Sequence, residues 1–229
     1  MNTDCGESMI LLEMIQRHPE MIPLQEEVEK GFEIIRDAFR EGGKLLVCGN
    51  GGSAADADHI VGELMKGFKK KRSLPQKSRE CYGSLADGLQ EALPAIALTQ
   101  HTALVTAFGN DVDASMIYAQ QVYGYGRPGD VLWALSTSGN SANVVNAAKV
   151  AGIRGLKVFA LTGKSGGALK ELADVCISVP EEETAFVQEQ HIILYHALCG
   201  MLEEYFFGKD TDECKTDHKN VKERKLNWK

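Results

Sequence analysis

Five short apolar runs recur along this chain, each followed by a polar, often glycine-bearing stretch. They are KLLVC (44–48), PAIAL (94–98), DVLWAL (130–135), KVFAL (157–161) and VCISV (175–179). Runs this short suit strands buried on both faces. Between them lie SAADADHIVGELMKGF (53–68), two short helical segments within 101–125, SANVVNAAKVAGI (141–153) and GALKELA (167–173), and a long helix is expected over 184–207. Strand–helix alternation predicts a five-stranded parallel sheet covered on both faces, an α/β fold of three layers, α/β/α. Right-handed crossovers put the strand ends on one side, and ligands bind just beyond those ends.

Three segments stand outside that rhythm. Residues 7–41 read as helical, divided by Pro19 and Pro23 and stopped by Gly42 and Gly43, with Val28, Phe32, Ile35 and Phe39 forming an apolar stripe. Residues 69–93 are far longer than the usual connection of about 2–6 residues, so they read as an insertion. Residues 209–229 are charged and apolar-poor, the composition of a tail with little fixed structure. A single domain over 1–208 with a tail over 209–229 is expected.

Composition narrows the partners. An apolar share of 44% is enough for one core, and a net charge of -7 argues against general nucleic-acid binding. The basic run from Lys66 to Arg72 reads as a solvated surface or a mobile loop. The N-terminus lacks the apolar core of a signal peptide, and no run approaches the ~20 apolar residues of a bilayer span. A cytoplasmic protein without membrane or nucleic-acid partners is expected. None of the six cysteines forms a CxxC pair, and free thiols are expected.

The strand-end loops are Gly49-Asn50-Gly51-Gly52-Ser53, Ser136-Thr137-Ser138-Gly139-Asn140-Ser141 and Thr162-Gly163-Lys164-Ser165-Gly166-Gly167. All three precede helices. Helix N-termini offer unpaired N–H groups, glycines admit an anion close to the backbone, and hydroxyls add donors, which together make a phosphate cradle. The same residues also cap helices and turn chains. Gly49-x-Gly51-x-x-Ala54 fits the relaxed dinucleotide fingerprint GxGxxA, but the acidic residue expected about 20 positions on, at the end of a second strand, is absent. The Gly-Lys-Ser/Thr end of a Walker A loop is absent too.

His59 and Glu63 are spaced i, i+4 on the helix after the first loop and share a face. Gln188 and His196, at i, i+8 on the last helix, share another, while His191 points elsewhere. Two imidazoles, a carboxylate and an amide oxygen suit a zinc-like ion, and the same groups suit general acid–base chemistry. Taken alone, His59 and Glu63 are better explained as a surface ion pair. Spacing alone does not bring the two helices together.

Taken jointly, CGNGGSAADADHIVGEL, GND, GDVLWALSTSGNSANVVNAA, LTGKSGG and VQEQHIILYH resemble the phosphoheptose isomerase branch of the sugar isomerase (SIS) domain family. The resemblance covers about residues 30–207 apart from the insertion. It implies a flavodoxin-like SIS fold and a homotetramer with active sites at subunit interfaces, the assembly bringing the two helices together. The activity implied is conversion of sedoheptulose 7-phosphate to D-glycero-D-manno-heptose 7-phosphate through an enediol. By motif, Asn50, Gly51, Gly52, Ser53, Asn110, Asp111, Ser136, Thr137, Ser138, Ser141, Glu63 and Gln188 would bind substrate. His59, Glu63, Gln188 and His196 would hold one zinc ion per active site, and Glu63 and His196 would be the acid–base pair.

Two departures bear on substrate contacts. Ala185 stands where the family often has an acidic residue, and Phe68, followed by Lys69, stands where it often has an arginine. Another phosphorylated ketose is an alternative substrate. A non-catalytic role, binding a sugar phosphate or a protein such as a replication initiator, is the alternative class. The initiator-binding branch loses the residues at the positions of Glu63 and His196, both retained here.

Overall fold

The computed structural model describes residues 6–208. The tail over 209–229, Cys5 and Cys214 lie outside them. The elements in chain order are α1 (Gly6–Arg17), a 3-10 turn (Pro19–Leu24), α2 (Gln25–Arg40), β1 (Leu45–Cys48), α3 (Gly52–Met65), α4 (Gln76–Tyr82), a 3-10 turn (Gly83–Gly88) and β2 (Ala95–Ala97). Then come α5 (Thr102–Phe108), a π-helical turn (Gly109–Asp113), a 3-10 turn (Ala114–Met116), α6 (Ile117–Tyr125), β3 (Val131–Ser136), α7 (Ala142–Ile153), β4 (Lys157–Thr162), α8 (Gly167–Leu172), β5 (Val175–Ser178) and α9 (Thr184–Phe207).

The five strands are all parallel, in the order β2-β1-β3-β4-β5. Alternation within each strand splits the core in two. Leu45, Val47, Val131, Trp133, Leu135, Phe159 and Leu161 share a core with α2, α3 and α9, and α1 packs on the outside of α9. Leu46, Cys48, Leu132, Ala134, Val158 and Ala160 face α6, α7 and α8. Both layers are therefore needed to dry one sheet, and burial of each large apolar side chain contributes about 1.5–3 kcal/mol. The stripe expected on the N-terminal helix is buried: Val28, Phe32, Ile35 and Phe39 all lie in the first core. Cys48 lies in the second core, and burial pushes its thiol up to about 12. Cys48, Cys81, Cys176 and Cys199 are free. No helix among the described residues is long and apolar enough to cross a membrane.

Two expectations need correction. The helix expected over 53–68 ends at Met65, because Lys66 leaves it in extended backbone (φ -140, ψ 175). Arg72 donates to the carbonyls of Leu64 (2.7 Å) and Glu63 (3.1 Å), groups left without partners inside the helix at its end. The basic run is also not uniformly solvated: Arg72 is 2% exposed and paired with Glu203 at 2.9 Å. The Glu203 carboxylate further accepts the backbone N–H groups of Phe68, Lys69 and Lys70. The connection beyond folds back as α4 and its 3-10 turn, closed by a bridge between Ser73 and Gln90. Helix α5, TALVTAF, buries none of its residues in the single chain.

Candidate active site

The chain leaves β1 for β2 on one side of the sheet and takes up β3 on the other. The crevice at such a switch point is where open α/β sheets bind ligands. Here the loops after β1 and β3 border a cleft of about 260 Å³. Asn50, Gly51, Gly52 and Ser53 line it from the first loop, and Ser136, Thr137 and Ser141 from the second, with Thr184 and Gln188 of α9 completing it. The N-termini of α3 and α7 both open onto these loops, so backbone donors and helix dipoles converge there. Asn50 and Asn143 exchange two amide hydrogen bonds of 2.8 and 2.9 Å, clamping the two loops together. Ser136 Oγ donates to Ser141 Oγ at 3.1 Å. A Cβ on Gly52 would lie 2.7 Å from Gln188 Cδ, so only glycine lets that amide sit against the loop.

The third glycine-bearing loop has a different fate. Gly139 and Gly167 both have positive φ (66 and 53), and their backbones are in contact. Leu169 N–H donates to the Gly139 carbonyl (3.0 Å), Ala168 N–H to Asn140 Oδ1 (2.9 Å) and Gly163 N–H to the Thr137 carbonyl (2.9 Å). This loop buttresses the second from behind and does not line the cleft.

Helices α3 and α9 run parallel in matched register. Gly52 faces Gln188, His59 faces Tyr195 and His196, and the backbone just beyond α3, at Phe68, meets Glu203. His59 Nε2 stands 3.1 Å from Glu63 Oε1 and 3.5 Å from His196 Nε2. The expectation that assembly is needed to join these helices is thereby corrected: they pack within one chain. Glu63 Oε2 accepts from Lys66 at 3.2 Å, and Phe68 lies tilted against His196, ring centroids 5.6 Å apart. Burial first, then the neighbouring His59, holds His196 below the usual imidazole range. On its other side His196 borders a second cleft of about 240 Å³ with Phe68 and Lys69.

Not every expected residue comes to the cleft. Asn110 and Asp111 are exposed and bonded to each other at 2.8 Å. Ser138 is exposed, its Oγ accepting from Asn140 N–H at 3.1 Å. His191 points away, as expected, with Nε2 at 3.3 Å from the Thr162 carbonyl. Sequence reading missed Asn143, Thr184, Asp56 and Tyr195. Only Asp56, at i, i+3 from His59, carried a signal.

The donor set suits zinc, and ligands about 2.0–2.1 Å from one tetrahedral ion lie roughly 3.3 Å apart. The His59–Glu63 and His59–His196 separations match that spacing. Gln188 lies instead against Gly52, and among the described residues no three His, Cys, Asp or Glu side chains are arranged to hold a metal ion. Those two separations from His59 fit the group, while the four-residue shell is not assembled in the single chain.

A SIS domain family model matches residues 13–79 and 80–163. The phosphoheptose isomerase of Rhodospirillum rubrum is 44% identical over 171 residues, 75% of this chain and 81% of that protein. That of Thiobacillus denitrificans is 42% identical over 184 residues, 79% and 84% of the two chains. The solved phosphoheptose isomerase of Neisseria gonorrhoeae superposes with a TM-score of 0.69 at 38% identity, covering 84% of this chain and 94% of its own. That of Francisella tularensis gives 0.68 at 35%, covering 78% and 86%. With the parallel sheet, the two facing loops and the His59–Glu63–His196 contact, these likenesses make the chain a member of the phosphoheptose isomerase family of SIS-domain proteins.

Proposed function

We propose that the protein is an aldose–ketose isomerase that converts sedoheptulose 7-phosphate to D-glycero-D-manno-heptose 7-phosphate through an enediol. The observation that carries this reading is the matched register of α3 and α9. It sets a phosphate-type cradle at one level, around Gly52 and Gln188, and an acid–base cluster at another, around His59 and His196. From Gly52 to His59 is seven residues, about 10 Å of helix. Side chains lean toward the helix N-terminus, and the Glu63 carboxylate accordingly sits beside His59. A substrate with its phosphate and carbonyl at opposite ends of an open chain bridges such levels, and a short triose phosphate does not.

The loop hydroxyls and N–H groups anchor the phosphate. Glu63 removes the proton from the carbon beside the ketone, and His196, kept neutral by its burial, relays protons between the enediol oxygens. Reprotonation at the neighbouring carbon gives the aldose. The acid–base pair contributes about 10²–10⁴-fold. His59, Glu63, His196 and Gln188 are proposed to hold one zinc ion, which when bound polarises the substrate's oxygens. A homotetramer with sites at subunit interfaces belongs to the same proposal. It is supported by the uncovered apolar α5 and by Asn110 and Asp111, which stand clear of the cleft in one chain.

The test follows conversion of sedoheptulose 7-phosphate by NMR with wild type and Glu63→Gln, each metal-stripped and zinc-restored. Turnover by wild type and its loss in the folded variant support the reading. No turnover by folded wild type rejects this substrate.

A further inference from the structure

Asp56 and Tyr195 have no part in the steps above, yet they are built into the same contact. Tyr195 is fully buried, and its ring meets His59 edge-on, centroids 5.4 Å apart. Its single hydroxyl lies 3.0 Å from His59 Nδ1 and 3.3 Å from Asp56 Oδ1. The other Asp56 oxygen, Oδ2, is buried without a partner, so the hydroxyl supplies this carboxylate's one side-chain hydrogen bond among the described residues.

The hydroxyl carries one proton. An ionised carboxylate only accepts hydrogen bonds. Tyr195 therefore donates to Asp56, and its oxygen accepts from whatever stands on its other side, which is His59 Nδ1. A neutral imidazole that donates from Nδ1 holds its lone pair on Nε2. That nitrogen is the one 3.1 Å from Glu63 Oε1 and 3.5 Å from His196 Nε2. We propose that Asp56 and Tyr195 are positioning residues that lock His59 in its Nδ1–H tautomer, so that Nε2 presents a lone pair to Glu63 and His196. That lone pair and the Glu63 oxygen are then two electron-pair donors facing one position, the arrangement a cation takes up. The relay thus makes the His59–Glu63 pair receptive to a cation, where the opposite tautomer would close it as an ordinary N–H···O bond. The inference rests on the placement of His59, Glu63 and His196 in one site, and it deepens that reading.

Long-range proton–nitrogen NMR on the full-length, chelator-treated protein with labelled histidine reads the tautomer directly, without substrate or metal. The His59 signals are identified by their absence in His59→Gln. Wild type is expected to show a protonated Nδ1 and an unprotonated Nε2. Tyr195→Phe keeps the ring and removes the hydroxyl, and is expected to move the proton to Nε2, where Glu63 accepts it. An Nε2–H tautomer in wild type, or an unchanged Nδ1–H tautomer in Tyr195→Phe, would overturn the proposal. Zinc titration adds a second readout: Tyr195→Phe is expected to bind zinc about 10–100-fold more weakly. Equal affinities would count against the relay. Absence of zinc binding by wild type, with the tautomer shifting as expected, would remove the metal from the proposed function and leave the relay standing.

Discussion

Gly51-Gly52 after β1 and Gly166-Gly167 after β4 are both glycine pairs at the start of a helix, but the first borders the cleft while the second is packed against the loop after β3. What separates them is what lies across from each. Gly52 faces the amide of Gln188, a flexible side chain at the edge of open space. Gly167 faces the backbone of Ser138 and Gly139, which cannot retreat. A glycine beside a side chain leaves room for a ligand, whereas a glycine beside backbone holds a scaffold. Three loops of similar composition thus divide into two that form the cleft and one that supports it.

Substitutions can break or sharpen this contrast. The largest expected effect lies on the helix that follows the first loop. Glu63→Gln should lower turnover by about 10²–10⁴-fold with the melting temperature little changed, as read by NMR kinetics and calorimetry. The next lies where α9 meets the third loop. Burial pushes His191 down from 6.5 to about 4, against the hydrogen bond from its ring to the Thr162 carbonyl. Between those values the unfolded chain binds a proton that the folded chain does not. Stability from this group is therefore whole above pH 6.5 and falls as the pH drops toward 4, by about 3 kcal/mol. Urea unfolding at pH 7 and at pH 4 should show that loss, and His191→Gln should reduce it.

Gly167→Ala should destabilise by about 1–3 kcal/mol or more, since its φ of 53 is left-handed and Ser138 O would lie 2.6 Å from the new Cβ. Gly52→Ala should do the reverse of Gly167→Ala. It displaces the Gln188 amide, so catalytic efficiency should fall about tenfold, roughly 1.4 kcal/mol of barrier, with stability nearly unchanged. Efficiency and unfolding measured on both variants separate the cleft from the scaffold. Lys164→Ala, in the third loop but exposed and paired only with the exposed Glu182 among the described residues, should stay within about 0.5 kcal/mol of wild type in stability and leave turnover unaltered.

Much of this was legible in the residues. The strands could be read to within a residue or two, because each is a short apolar run buried by helices on both sides. His59 with Glu63, and Gln188 with His196, were legible as pairs because helical spacing sets which residues share a face. Their meeting was not, since it depends on α3 and α9 lying side by side, which no local pattern encodes. The end of α3 was missed for the same reason: the residue that captures the Phe68–Lys70 backbone, Glu203, is more than 130 positions away. Arg72 looked like one more surface charge in a basic run, and its burial is made tolerable by that distant carboxylate together with the carbonyls of Glu63 and Leu64. The third loop misled because Gly, Ser and Thr serve a phosphate and a tight backbone contact equally well.

The claim that the glycine loop and the His59–Glu63 turn serve one ligand is open to a single direct measurement. Sedoheptulose 7-phosphate is titrated into the Glu63→Gln protein, whose turnover is expected to be slowed, while the amides of Gly51, Gly52, Ser53 and Ser136–Ser141 and the ring of His196 are followed by NMR, with inorganic phosphate as the control. The account predicts that the sugar phosphate shifts the loop amides and the His196 ring with one binding curve, and that phosphate alone shifts only the loops. Shifts confined to the loops with both ligands, or separate binding curves at the two levels, would contradict it.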